Sequence, residues 1–410
     1  MGLFVHFGVR TFDPGYEKWD SEPMDLSLFN PRRLDCERWV RTAKEAGMRY
    51  AVLTAKHHDG YCNWPSEYTD YSVAHTPWKN GEGDVVGEFA AACHRHGLKL
   101  GLYYSPADVA CPDYDDPTAY DDYFVHQMSE LVDGRYGEVS VLWFDGCGTQ
   151  GHTYDWERIC GEARHLQPNL CIFHLGDPDI RWVGTEAGIA PSSCWNVAEC
   201  VETPEGWIRA RQPSDGEDME SAGNRWMPAE CDCMMREHGW FYQDAKKHAV
   251  KSLEQLLGIY YYSVGRGCNM LLNIAPDTRG LFPEEEELRL REFGAEIQRR
   301  FALPLKEWAD FTEVDGGWEW TGEDWRKTLL IDHVVVQEDL TGGESVGRFR
   351  IDVWPEITSY PITVHRGTTI GDKAICRFPA ISVHKVRIEI EEARGPVKMR
   401  NAELHLAGMP

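Results

Sequence analysis

One order of segments recurs along this chain: an amphipathic helical stretch, a glycine stop, a short apolar strand, then a cluster of polar or aromatic residues. Strands that alternate with helices restrict the fold to a parallel sheet with helical crossovers, because parallel neighbours cannot be joined by a tight hairpin. In the first complete unit Asp35 can cap a helix carrying Trp39, Val40, Ala43 and Ala46 at helical spacing, and Gly47 ends it. MRYAVLTA follows as a strand that delivers Lys56, His57, His58 and Asp59. Asp84 can cap DVVGEFAAACHRH, Gly97 stops it, and LKLGLYYSP runs as a strand ending with Tyr103 and Tyr104. TAYDDYFVHQMSELVDG then reads as a helix before EVSVLWFDG, and WERICGEARHLQ as a helix before NLCIFH. Further on, AKKHAVKSLEQLLGIYYYSVG reads as a helix, CNMLLNIAP as a strand and PEEEELRLREFGAEIQRRF as a last helix.

With LFVHFG at the N-terminus, at least six strand-like segments alternate with helices over about 300 residues. That favours a (β/α)8-type, TIM-like barrel over an open doubly wound sheet, and no GxGxxG follows the first strand to support a dinucleotide fold. The stretch from Glu186 to Trp240 is irregular and rich in Gly, Pro and Trp, so one or two barrel elements are expected to be degraded there. After Phe301 the texture changes. LLIDHVVVQEDL, GRFRIDVW, SYPITVHRGTTI, HKVRIEIEEA and KMRNAELHLAG are β-branched or alternating and separated by Gly and Pro turns, which predicts a jelly-roll-like β-sandwich. The expected division is a catalytic barrel over residues 1–302 and a β-sandwich over 303–410.

Charge and composition narrow the partners. Acidic residues outnumber basic ones 67 to 42, a net charge of -25, which argues against a nucleic-acid partner and suits a neutral substrate. No apolar run approaches the roughly 18 to 20 residues that span a bilayer, and MGLFVHFGVR has neither a basic n-region nor a cleavage site. A membrane partner is therefore not expected. The thirteen cysteines, an odd number scattered through apolar segments, resemble reduced core thiols, and the expected compartment is the cytoplasm. Cys231 and Cys233 in AECDCMM lack the two-residue spacing and the second pair of a zinc site. Sixteen tryptophans supply flat apolar faces, each with one donor, of the kind that pack against sugar rings.

Chemistry converges where strands end. VLWFDG runs an apolar strand into Asp145, and Asp before Gly is in isolation ordinary turn chemistry. In a barrel, however, the carboxyl ends of all the strands form one rim. His6, His57, His58, Tyr103 and Asp145 would line a single cup, with Trp64 and Trp143 as aromatic walls. Such a cup suits glycoside hydrolysis, which needs a second carboxyl on another strand end or loop. Glu186 in RWVGTEAG, among Gly and Trp, is the best placed, and apolar company would raise its pKa as an acid catalyst requires. The rival reading, a metal centre on His57, His58 and Asp59 or on His94 and His96, is disfavoured: adjacent strand residues point to opposite faces, and His94 and His96 end a helix on the far side from the rim.

The segments FVHFGVRTF, TAKHHDGYCNWPSEYTDYSV, GLYYSP, VLWFDG, DIRWVGTEAGIAP, GWFYQ and NMLLNIAPDTRG resemble, in order, those of the family-29 glycoside hydrolases, the α-L-fucosidases. The resemblance implies a retaining mechanism without metal or organic cofactor, acting on a fucosylated oligosaccharide. Asp145 would be the nucleophile, and Glu186 the general acid/base of the subgroup specific for α-1,3 and α-1,4 linkages. His6, His57, His58, Tyr103 and Trp143 would hold the fucose ring, and Trp19, Trp64 and Arg181 carry over as further contacts. Three features depart from the family pattern: Lys18 stands before Trp19 where relatives often have Glu, and His174 and Thr185 stand where they commonly carry other residues.

Overall fold

The computed structural model describes residues 1–13, 22–184, 186–203, 206–209, 223–243 and 248–408. Eight strands, β1 (Gly2–Val5), β2 (Tyr50–Lys56), β3 (Lys99–Tyr104), β4 (Val139–Trp143), β5 (Cys171–Phe173), β6 (Arg181–Trp182), β7 (Ala229–Met234) and β8 (Asn269–Asn273), pair side by side in chain order. Every pairing is parallel, and β8 returns to β1 with Leu3 opposite Leu272. Between β5 and β6 the ring is joined by the single bridge Phe173–Ile180, so the barrel is nearly closed.

Helices α1 (Cys36–Glu45), α2 (Val85–His96), α3 (Pro117–Val132), α4 (Trp156–Leu166), α5 (Leu253–Tyr262) and α6 (Glu284–Phe301) cover the outside. The caps lie where the sequence places them: Asp35 accepts from the Arg38 amide and Asp84 from the Gly87 amide, while Gly97 ends α2 at φ 65°. Among the described residues no helix follows β5 or β6. Their place is taken by a short loop and by two-stranded ribbons, Val197–Ala198 with Arg225–Trp226 and Cys200–Thr203 with Gly206–Arg209.

Two segments differ from the sequence reading. Of the helix expected from AKKHAVKSLEQ, residues 245–247 lie outside the described residues; among the described ones it begins at Leu253, where Ser252 and Gln255 form a capping box. Upstream, Glu237 and Lys251 amides bond to Ala249 and Met235 carbonyls, so tertiary pairing to the end of β7 overrides the helical pattern. AECDCM is not loop but barrel strand β7. Its period of two turns Glu230 and Asp232 into the barrel and Cys231 and Cys233 into the apolar layers outside. All thirteen cysteines are free thiols.

The core has layers. Apolar side chains of the barrel's outer face pack on the helices, while Phe4, Val52, Tyr103, Val141, Trp143, Phe173 and Leu271 fill the barrel itself. Beyond α6, strands β9 (Thr312–Val314), β10 (Gly317–Thr321), β11 (Leu329–Glu338), β12 (Val346–Pro355), β13 (Ile362–Gly367), β14 (Ala374–Ala393) and β15 (Met399–His405) form the antiparallel C-terminal domain around one core. The 20-residue β14 joins its halves, pairing first with β11 and then with β12 on one edge and β10 on the other. This domain docks on the barrel through Tyr261 of α5, whose hydroxyl meets His333 Nε2 at 2.8 Å and accepts from Arg300 at 3.0 Å.

Candidate active site

At the carboxyl ends of the strands lies a cavity of about 900 Å³. His6 follows β1, His57 and His58 follow β2, Tyr103 stands on β3, Trp143 ends β4 and Asp145 lies two residues beyond it. The opposite wall comes from Phe173 and His174 at β5, Trp182 on β6, Glu186 beyond it, Asp232 on β7 and Trp240. Aromatic stacking makes the floor rigid: Trp143 lies 4.0 Å from Phe173 and 5.2 Å from Tyr103, both nearly parallel. Beneath it, Trp143 Nε1 donates to Glu230 Oε1 at 3.0 Å, and Asn269 and Tyr50 donate to the other oxygen of that buried carboxyl.

His6 and His57 are held neutral. Burial pushes His6 down to about 3 and His57 well below the usual imidazole range. The tautomer of His6 follows from its partner: Asn273 donates its amide to the Trp240 carbonyl, leaving Oδ1 to accept from His6 Nδ1 at 2.8 Å. The Nε2 of His6 is therefore an acceptor. His57 stacks on Tyr103 at 5.4 Å and lies 4.1 Å from the ring of His58. Both histidines lie past the last residue of β2, in a turn closed by the Gly60 amide on the His57 carbonyl, so strand alternation does not separate them and both line the cavity.

Asp145 does two things at once. Its Oδ1 accepts from the Cys147 amide at 2.9 Å, closing the turn, while Oδ2 accepts from the Tyr103 hydroxyl at 2.7 Å at the cavity wall. Burial raises its pKa, and the two hydrogen bonds oppose that rise. Glu186 occupies the third position of a tight turn closed by the Ala187 amide on the Gly184 carbonyl, at φ 61°. A left-handed glutamate costs of order 1 kcal/mol, and such positions concentrate at functional sites. Desolvation raises its pKa, a bond with Trp240 lowers it, and the charge of Asp145 raises it again. A third carboxyl, Asp232, was not singled out in the sequence. It is buried, accepts from Trp182 Nε1 at 2.6 Å, and is pushed up to about 8 by burial and by the neighbouring Glu186, Glu230 and Asp145 charges.

His6, His57, His58, Tyr103, Trp143, Asp145 and Glu186 thus meet in one cavity. Trp64 and Arg181 do not. Trp64 is fully buried outside the barrel, with Nε1 on Glu130 at 2.9 Å and its ring beside Tyr104. Arg181 faces outward from β6, bonded to the Trp195 carbonyl and near Cys194, and its neighbour Trp182 takes the cavity side. Trp19 and Thr185 lie outside the described residues. Of the residues that sequence reading missed, Trp182 stands on β6, and Asp232 and Trp240 come from the irregular stretch, where the alternation of ECDC was the available signal for Asp232.

Neutral acceptors and stacked rings can grip a ring of hydroxyls without charge while a carboxylate stands against one of its carbons, and this places the barrel among the sugar-cleaving hydrolases. Residues 3–300 match the family model of alpha-L-fucosidase. Alpha-L-fucosidase 1 of Arabidopsis thaliana is 34% identical over 96% of this chain and 82% of its own length. A crystal structure of a glycoside hydrolase 29 family member from a rumen bacterium superposes with a TM-score of 0.89 at 34% identity, covering 100% of this chain and 76% of that one. A Bacteroides ovatus structure gives a TM-score of 0.86 at 38% identity over 100% of this chain and 72% of its own. The chain belongs to the α-L-fucosidase family, glycoside hydrolase family 29, and is an enzyme of that class.

Proposed function

We propose that the protein releases L-fucose from fucosylated glycans with retention of configuration, and that its natural linkages are the α-1,3 and α-1,4 branches of Lewis-type oligosaccharides. The observation that carries the reading is the pairing of Asp145 with Glu186: two carboxyls from different loops line one cavity and are close enough for the charge of one to raise the other.

In the first step an oxygen of Asp145 bonds to the anomeric carbon while the glycosidic bond breaks, and Glu186 passes its proton to the leaving oxygen. In the second, water attacks the same carbon, Glu186 takes its proton, and the bond to Asp145 breaks. The Tyr103 hydroxyl steadies the carboxylate when it leaves. His6, through Nε2, and the neutral His57 suit ring hydroxyls, because an uncharged imidazole can accept or donate without an ion to desolvate, and His58 lines the same cavity beside them. The Trp143 and Phe4 faces offer packing for the C5 methyl that distinguishes fucose. Glu186 is solvent-exposed on the wall away from that floor, which suits a proton donor to a large, branched leaving group.

The test is release of free fucose from a Lewis-type trisaccharide beside 2′-fucosyllactose and an aryl fucoside. Release from the trisaccharide far above the α-1,2 sugar is the expected result. Preference for 2′-fucosyllactose would overturn the linkage, and an inverted anomer in the first-formed product would overturn retention.

A further inference from the structure

We propose that the cleft between the barrel and the C-terminal sheet is a second binding site, separate from the cup, that takes an anionic sugar. The cleft has a volume of about 440 Å³, with Tyr261, Tyr262 and Arg266 on the barrel side and His365, Arg366 and Arg377 on the sheet side. None of its lining residues is acidic, although the chain as a whole carries 67 carboxylate side chains against 42 basic ones. A cleft that gathers cations in an otherwise acidic protein concentrates a local positive field.

Two of the three arginines lack a carboxylate partner: among the described residues neither Arg266 nor Arg377 forms an ion pair. Arg266 gives one nitrogen to the Ala190 carbonyl and lies 4.5 Å over the ring of Tyr262, while Arg377 sits 5.9 Å from the ring of Tyr261. Arg366 is partly neutralised by Glu391, outside the cleft. Guanidinium groups bind carboxylate and sulfate through paired N–H donors. Tyr262 is 49% exposed beside them, an apolar face for a sugar ring. A carboxylate or a sulfate ester on a sugar satisfies both features, and the volume suits one or two residues of a glycan.

Topology separates this cleft from catalysis. Because α5 runs back from the rim, its end at Tyr262 and the turn to β8 lie at the opposite end of the barrel from the cup. Occupancy would therefore hold a glycan or its polymer near the enzyme without altering turnover of a small fucoside. The sugar part of the proposal rests on the glycan reading of the cup; the anion part does not.

The experiment is ligand-observed NMR titration of the full chain with glucuronic acid, N-acetylneuraminic acid, galactose 6-sulfate, neutral galactose and inorganic sulfate, alongside aryl fucoside hydrolysis. Saturable binding of a charged sugar is expected, with Arg377→Ala weakening it about tenfold, the scale of one charged hydrogen bond, and leaving hydrolysis unchanged. Arg266→Gln should act in the same direction. Binding by the sugar acids identifies a carboxylate, and binding by the sulfated sugar alone identifies a sulfate ester. The proposal is overturned if no charged sugar binds, if galactose or inorganic sulfate binds as well, or if Arg377→Ala leaves affinity intact. Loss of fucoside turnover in the wild-type chain would strike the reading of the cup instead, so the two failures are distinguishable.

Discussion

The two sides of the barrel are built by different rules. On the side of β1 to β4, each strand is backed by a helix and ends in a group that enters the cup: His6, His57 with His58, Tyr103, then Asp145. On the side of β5 to β7, loops and ribbons stand among the described residues where helices would follow β5 and β6, and the cup receives His174, Trp182, Glu186, Asp232 and Trp240. His174 and Glu186, at φ 75° and 61°, are the cavity-lining residues other than glycine described with positive φ, and both belong to this second side. Helix-backed strands hold groups in fixed geometry, which suits recognition of one unvarying ring. Loops can change length and shape without disturbing the barrel, which suits the variable sugar beyond it.

If this division is right, the deepest loss comes from the regular side. Asp145→Ala should lower kcat by on the order of 10⁴-fold or more on every fucoside, aryl or natural, because it removes the only covalent partner in the proposed reaction. Circular dichroism should remain unchanged, since the residue caps only a local turn. Activity within tenfold of wild type would remove Asp145 as nucleophile.

The irregular side should show a loss that depends on the leaving group. Glu186→Ala is expected to slow the Lewis trisaccharide by about 10² to 10⁴-fold and an activated aryl fucoside far less, because the latter leaves without needing a proton. The pH profile of kcat/KM carries the same test. Asp145 must be ionised, so activity falls as pH drops through its raised pKa; Glu186 must be protonated, so activity falls as pH rises through its own. Glu186→Gln should abolish the alkaline limb and leave the acid limb. His6 stays neutral down to about pH 3 and should contribute to neither. Equal losses on both substrates would move the acid to another residue.

This contrast also governs what could be read in the sequence. The regular side was legible because amphipathic period, cap, glycine stop and apolar strand agree at every level, so the strand ends, and with them His6, His57, His58, Tyr103 and Asp145, could be placed together. The irregular side offered no such agreement. A strand written AECDCM puts carboxyls into a barrel interior and looks polar in sequence, so β7 and Asp232 were hidden. In β6 the reading was off by one residue: Arg181 belongs to the outside and Trp182 to the cup, a distinction that alternation alone cannot orient without knowing the register. Trp64 failed for another reason. It follows the HHDG block closely in sequence, yet the turn after His58 carries the chain over the outside of β2, where Asn63 bonds to the Thr54 carbonyl and Trp64 to Glu130.

A smaller effect should mark Asp232. With a pKa of about 8 in the fold it is protonated at neutral pH, so Asp232→Asn, which keeps a similar shape, should leave kcat within a few-fold at pH 6. Stability carries the sharper signal. The folded state keeps this proton after the unfolded chain has lost it, so the residue lowers stability progressively as pH rises from about 4 to about 8. Asp232→Asn should therefore raise Tm by about 2 to 4 °C at pH 8 and leave it unchanged at pH 4. An equal shift at both pH values would mean that packing, not titration, is responsible.

The smallest effect on catalysis is expected where sequence and structure part company. Trp64 donates to Glu130 Oε2, while the Glu67 amide donates to Oε1, so the indole is half of what satisfies a buried carboxylate. Trp64→Phe keeps the ring and deletes the donor. It should cost about 1 to 3 kcal/mol of stability, the range for leaving a buried polar group short of a partner. KM and kcat for an aryl fucoside should stay within about twofold, because the ring touches Tyr104 and not the cup. A rise in KM without loss of stability would return Trp64 to the sugar-binding wall, and would show that the helix-backed side is less rigid than its hydrogen bonds suggest.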